Sequence, residues 1–80
     1  MKKRRISPEE FISKVNAELP RMPGYVHGMC VFLYPDGVDA AYASGYDVHP
    51  KSALTRGVVG YAASQVLFYF DVNPQISRVP

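Results

Sequence analysis

Residues 29–42 read MCVFLYPDGVDAAY, with strand-forming residues on each side of an Asp-Gly pair. Asp-Gly favours a tight hairpin turn because glycine supplies the positive φ that the turn requires and aspartate tolerates that conformation. The stretch therefore predicts two antiparallel strands, at about residues 28–34 and 38–44. Apolar residues alternate in the second strand, which leaves its other face for solvent.

A helix is predicted upstream of this hairpin. Ser7-Pro8-Glu9-Glu10 places a capping serine before a proline at the first helical position, with a glutamate three residues after the cap. Four apolar residues then recur at helical spacing and give one buried face: Phe11, Ile12, Val15 and Leu19. Pro20 ends the helix, and residues 20–24 form a connector rich in proline and glycine.

Downstream of the hairpin, residues 50–72 favour a second helix followed by a third strand. Apolar residues keep a helical rhythm from Leu54 to Val66, whereas β-branched and aromatic residues crowd and alternate within 66–72. A helix that continues to Phe70 is the alternative to that strand.

These elements predict an α+β fold in the order α-β-β-α-β, with a small antiparallel sheet and two helices on one of its faces. Residues 7–74 form the single domain, residues 1–6 a basic flexible tail and residues 75–80 a C-terminal tail. Eighty residues suffice for one domain with a thin core. Because 48% of the residues are apolar and only 20% are charged, some Tyr and Phe side chains should be exposed.

The positive charge of the chain is concentrated at its start. Four of the nine Lys and Arg residues are adjacent: Lys2, Lys3, Arg4 and Arg5. From residue 6 to residue 80, five cations stand against seven anions, so the rest of the chain is mildly acidic. We therefore interpret the cluster first as a solvated tail. Contact with an acidic partner is a second interpretation, and a nucleic-acid-binding accessory protein that uses this tail is the alternative function.

Catalytic and metal chemistry find little support in the sequence. Cys30 with His27 or His49 is the one conceivable pair of nucleophile and base, but Cys30 lies in an apolar run and is predicted to be a core residue. The same residues with Asp47 lack the paired spacing of zinc ligands. We expect a non-enzymatic protein with no catalytic residues, no metal site and no cofactor.

The cellular location is predicted from cysteine use and hydropathy. A single cysteine excludes an intramolecular disulfide framework, which small proteins of oxidising compartments usually need. The longest apolar stretch is far shorter than the roughly 20 residues that span a bilayer. We therefore expect a cytoplasmic protein that does not enter a membrane.

Non-catalytic protein binding is the function that these observations favour. Tyrosine is a frequent interface anchor, and Tyr42 and Tyr46 beside Asp39 and Asp47 are the predicted partner-binding residues. The expected partner is a larger protein or complex, which the module inhibits or regulates. Small proteins of this kind are frequent in phages and other mobile elements, where they include anti-CRISPR inhibitors.

Self-association is predicted as well. Gly57 and Gly60 each cost about 1 kcal/mol against alanine within a helix, so their presence suggests the close approach of another backbone. A short sheet also leaves an unpaired edge that a second copy can cover. We expect a homodimer with Gly57 and Gly60 at the contact.

Overall fold

The computed structural model describes residues 3–35, 42–73 and 75–78. The elements follow in this order: β1 (Arg4–Ile6), α1 (Pro8–Glu18), a 3-10 turn (Leu19–Arg21), β2 (Cys30–Tyr34), β3 (Gly45–His49), α2 (Ala53–Tyr69) and β4 (Phe70–Val72). Two helices and a few short strands make this a mixed α+β protein, as the sequence predicts.

Helix α1 begins at the predicted cap. The Ser7 hydroxyl oxygen accepts from the backbone N–H of Glu10 at 3.1 Å, and Pro8 occupies the first turn, where no N–H is needed. The Glu10 carboxylate does not return to the cap; it lies 3.5 Å from the Arg4 guanidinium. Phe11 is buried on the inner face of the helix and belongs to the main core.

Strands β2 and β3 form the antiparallel hairpin, with Val31 opposite Val48 and Tyr34 opposite Gly45. The first predicted strand is confirmed over Cys30–Tyr34. The second begins at Gly45, so the prediction of a strand up to residue 44 is wrong for residues 42–44. The predicted Asp36-Gly37 turn and residues 38–41 lie outside the described residues. Strand β3 pairs at 45–49 because Val48 there is buried in the core, whereas Tyr42 is exposed.

Helix α2 extends to Tyr69, so the predicted strand over residues 66–72 is wrong for its first four residues. Val66 continues the buried face of the helix, and this packing outweighs the strand propensity of the residues that follow. The buried residues recur at helical spacing: Thr55, Val58, Val59, Ala62, Ala63 and Val66. Only residues 70–72 become a strand, which makes the alternative of a longer helix nearly correct.

Strand β4 pairs in parallel with β1, with Ile6 opposite Val72. The described strands therefore form two separate two-stranded sheets, and the predicted third strand does not join the hairpin. The prediction of a flexible tail over residues 1–6 is wrong for 4–6, because the Ile6 side chain is only 2% exposed and anchors β1 to the core. Part of the predicted C-terminal tail also has a fixed place, since the Tyr46 N–H donates to the Ser77 carbonyl at 3.1 Å.

One side chain closes part of the outer edge of β2. The Asn16 amide of α1 donates to the Val31 carbonyl and accepts from the Val31 N–H, both at 2.9 Å. The amide thus pairs with both backbone groups of Val31, as a neighbouring strand would. This double contact fixes α1 against the hairpin and orients the core beneath α2.

Candidate functional site

Helix α2 carries the most unusual surface of the described chain. Its 17 residues include a single charged side chain, Arg56. A surface helix normally presents charged and polar residues opposite its buried face, and a helix that is apolar on all sides is normally covered. The exposed side of α2 therefore has the composition of a contact surface.

Three large apolar side chains lie on this side at intervals of seven residues. Leu54 is 55% exposed, Tyr61 is 56% exposed and Phe68 is 71% exposed. Seven residues are nearly two helical turns, so the three side chains share one face. Gly57 and Ser64 lie between them on the same face, and we call these five residues the outer face of α2.

The small residues of the outer face are Gly57 and Ser64. There is open space beside Gly57, and the hydroxyl of Ser64 is hydrogen-bonded. A Cβ atom added to Gly57 or Gly60 would meet no atom within 4 Å outside its own helix. The close approach of another backbone, predicted from these glycines, therefore does not occur within the described chain. The Ser64 hydroxyl donates to the Gly60 carbonyl at 2.9 Å, which satisfies it within the helix.

An apolar groove of about 390 Å³ borders the outer face at its N-terminal half. The connector after α1 passes close to α2 at Gly24. Glycine suits this position because its backbone adopts φ +85° and because a Cβ atom there would lie 3.4 Å from the Val58 side chain. The groove is lined by these residues: Pro23, Ala53, Leu54, Gly57, Val58 and Tyr61. Its floor at Gly57 has no side chain, so a ring from another molecule can enter it.

The structure does not gather the four predicted partner-binding residues on one surface. Tyr42 is 78% exposed, as that prediction requires, but Tyr46 and Asp47 are buried. Asp39 lies outside the described residues. The Tyr46 ring meets the Phe11 ring edge-on with centroids 5.4 Å apart, and burial raises the pKa of the Tyr46 hydroxyl despite the nearby Arg78. Tyr46 is thus a core residue.

Asp47 has a structural contact set. One carboxylate oxygen accepts from the Val48 N–H at 2.8 Å, and the other lies 3.2 Å from the Lys51 ammonium. The Val48 N–H lowers the pKa of the Asp47 carboxyl, and Lys51 and Arg56 lower it further against the opposing effect of burial. Asp47 therefore ties β3 to the segment that leads into α2.

The basic cluster is built into the fold where it is described. The Lys3 ammonium donates to the Leu67 carbonyl at 2.8 Å, and the Arg4 guanidinium lies 3.5 Å from the Glu10 carboxylate. Arg5 is opposite Asp71 in the β1–β4 register. Lys2 lies outside the described residues. Carboxylates thus accompany two of the three described cations.

The hairpin register places Cys30 directly opposite His49. These are two of the residues considered above as a nucleophile and a base. His49 is exposed, and Cys30 is a free cysteine. Cys30 is half-buried, so its prediction as a core residue overstates its burial. His27 is an exposed loop residue. Over residues 3–35, 42–73 and 75–78, no three His, Cys, Asp or Glu side chains come together to hold a metal ion.

Two further cavities lie near the C-terminal end of α2. One, of about 290 Å³, runs between α1 and α2, where the Lys14 ammonium sits 4.5 Å above the centre of the Phe70 ring. The other, of about 540 Å³, lies between the β1–β4 pair and Ser77. Neither cavity is lined by Cys30, His27 or His49, the residues considered for catalysis.

The sequence contained the signal for the outer face, but the strand prediction obscured it. Leu54, Tyr61 and Phe68 stand seven residues apart, a pattern that is visible only if the helix is extended to Phe68. Placing Phe68 in a strand removed it from the series.

Comparison with known proteins does not assign the chain to a family. The chain matches no protein-family model, and no curated protein or solved structure shows a significant match to it. Among the helices that the structure describes, none has the length and apolar composition needed to cross a membrane.

Proposed function

We propose that this protein is a non-catalytic protein-binding module whose contact surface is the outer face of α2. The observation that carries the proposal is the exposure of Leu54, Tyr61 and Phe68 on a helix face without a charged residue. Covering one such side chain contributes about 1.5–3 kcal/mol, so three of them supply a substantial binding energy. Aromatic anchors beside a small-residue groove are also typical of the residues that dominate protein interfaces.

The biological role of that binding is part of the proposal. We infer that the module inhibits or regulates a larger protein or complex, in the manner of the small proteins that phages and mobile elements encode, including anti-CRISPR inhibitors. A non-catalytic role is supported by the half-buried position of Cys30 opposite the exposed His49, and no group of three His, Cys, Asp or Glu side chains that could hold a metal ion forms among the described residues.

The nucleic-acid alternative receives less support. Its cations would have to bind phosphates, yet the Arg4 guanidinium lies 3.5 Å from the Glu10 carboxylate, and Asp71 is the strand neighbour of Arg5. Neighbouring carboxylates repel a phosphate backbone and reduce the counterion release on which such binding depends. Salt-sensitive DNA or RNA binding that is lost with residues 1–5 would favour this alternative.

The proposal is tested by the size of the complexes that the chain forms in a native lysate. Epitope-tagged wild type should elute from gel filtration well above the position of a single chain. Phe68→Ser should shift it to the position of the single chain, because a polar residue replaces the most exposed anchor of the face. Tyr42→Ser is the matched control, since it removes an even more exposed aromatic residue from another surface. Equal elution of all three proteins would contradict the proposal, and loss of the complex in Tyr42→Ser but not in Phe68→Ser would instead assign the contact to the surface at Tyr42.

A further inference from the structure

We propose that the outer face of α2 binds a second copy of this chain, with the two α2 helices antiparallel and Phe68 of each copy in the groove at Gly57 of the other. This inference rests on the proposed function, because it names an occupant of the same face, for which a larger partner then competes with the second copy. It is carried by the order of large and small residues along the helix, by the groove beside Gly57 and by the area that the face offers.

The order of residue sizes makes the face complementary to itself in one orientation. A two-fold axis between residues 62 and 63 places Tyr61 opposite Ser64 of the second copy and Phe68 opposite Gly57 of the second copy. Tyr61 and Phe68 then each meet a small residue, and each of these contacts occurs twice, while Leu54 lies at the edge of the contact, opposite position 71 of the second copy. Parallel helices in register would instead place Phe68 against Phe68 and Gly57 against Gly57, which leaves clashes and voids.

The groove supplies the receiving site for the ring. It is apolar, has a volume of about 390 Å³, and is open at Gly57, where a Cβ atom would meet nothing within 4 Å. Phe68 is the most exposed side chain of the outer face and lies about 16 Å along the helix from Gly57. An antiparallel pair therefore seats both rings at once, one at each end of the contact.

The exposed area of the outer face fits a weak, reversible dimer. An aromatic side chain offers about 200 Å², so the exposed fractions leave about 110 Å² on Tyr61 and about 140 Å² on Phe68. Tyr61 and Phe68 together offer about 250 Å² per copy, hence about 500 Å² per pair, and Leu54 and the rim of the groove add to this area. An interface of this size fits a reversible dimer with a dissociation constant in the micromolar range.

The charge distribution favours a second copy over a foreign charged surface. Specific recognition of a foreign partner usually includes complementary charges, but Arg56 is the only charge on α2 and lies to the side of the outer face. The Ser64 hydroxyl is already satisfied by Gly60, so two copies can meet there without an unpaired donor. An uncharged surface can meet its own copy without repulsion.

Sedimentation equilibrium of the purified full chain, from about 1 to about 200 µM, tests the dimer. Wild type and the Tyr42→Ser control should reach twice the mass of one chain. Phe68→Ser should weaken the association at least about 100-fold, because two ring contacts are lost per dimer. Gly57→Leu should also give a monomer, and it should melt no lower than wild type at a concentration where wild type is monomeric, since leucine favours the helix and a Cβ atom at this position meets no atom within 4 Å.

The orientation is tested by placing a photocrosslinker at position 68. Phe68→p-benzoylphenylalanine should crosslink to residues 53–61 of the second copy, whereas a parallel pair would give crosslinks within 64–71 and overturn the antiparallel arrangement. A dimer that survives Gly57→Leu would overturn the groove contact. If wild type is monomeric at every concentration, the proposed self-association is wrong. The lysate assay then decides the proposed function. It stands if Phe68→Ser loses a foreign protein that wild type binds, and it is wrong as well if Phe68→Ser loses none.

Discussion

Replacing Asn16 with alanine should destabilise the fold more than any other substitution of a polar side chain on α1. The amide makes two hydrogen bonds of 2.9 Å to the backbone of Val31, a residue that is buried. Alanine would leave one N–H and one carbonyl without partners at the edge of the hairpin. Each unpaired group costs about 1–3 kcal/mol, so we expect a loss of about 2–4 kcal/mol in the free energy of unfolding.

Urea unfolding followed by circular dichroism measures this loss, with Ser13→Ala as the control because Ser13 is an exposed α1 residue. For a domain of this size the expected loss lowers the melting temperature by about 10–20 °C. Asn16→Asp keeps the acceptor but loses the donor, and its carboxylate faces the Val31 carbonyl, so it should be nearly as unstable at neutral pH. A loss below about 0.5 kcal/mol relative to Ser13→Ala would refute the role of Asn16 at this edge.

Two further predictions concern β1 and β3. Ile6→Ala should lower the free energy of unfolding by about 2–4 kcal/mol because it empties a buried position, whereas Arg5→Ala should lower it by less than about 0.5 kcal/mol. Urea unfolding measures both losses. Equal, small losses would mean that residues 4–6 behave as a tail. The folded protein holds the pKa of Asp47 below its usual value, so the stabilising contribution of its carboxylate is present at neutral pH and is lost as the pH falls through the folded pKa. The difference in melting temperature between wild type and Asp47→Asn should therefore be largest at neutral pH and shrink below about pH 4, and a difference independent of pH would contradict this role.

Local signals in the sequence predicted part of the fold well. The cap at Ser7, the proline at Pro8 and the stop at Pro20 act within one or two turns, so the bounds of α1 follow from them. Strand β2 was equally clear because its apolar run is bounded by glycine and proline. These features depend on neighbours in the chain and not on tertiary contacts.

The missed elements depend on packing between distant segments. Strand β3 contains Gly45 and Asp47, which usually break strands, yet its Val48 side chain is required in the core opposite Val31. Strand β1 forms only because β4 lies beside it, a pairing across more than sixty residues that local patterns do not encode. Extension of α2 to Tyr69 follows from the burial of Val66, which the local strand propensity opposes.

The candidate site was predictable only in its chemistry. The sequence indicated exposed aromatic residues, a protein contact and a role for Gly57, but it assigned the contact to Tyr42, Tyr46 and two aspartates. Tyr46 and Asp47 proved buried because β3 is displaced from its predicted position. Phe68 could join the face only after α2 was known to continue past Val66.

Tryptophan fluorescence tests the covering of the outer face most directly, because the chain contains no tryptophan of its own. Phe68→Trp places a single indole on the outer face, and Tyr42→Trp places one on the exposed control position. Acrylamide quenching of Phe68→Trp should fall as the concentration rises, since the ring enters the groove of a second copy, while quenching of Tyr42→Trp should stay constant. Full and concentration-independent quenching of Phe68→Trp, equal to that of Tyr42→Trp, would contradict the claim that a second copy covers this face.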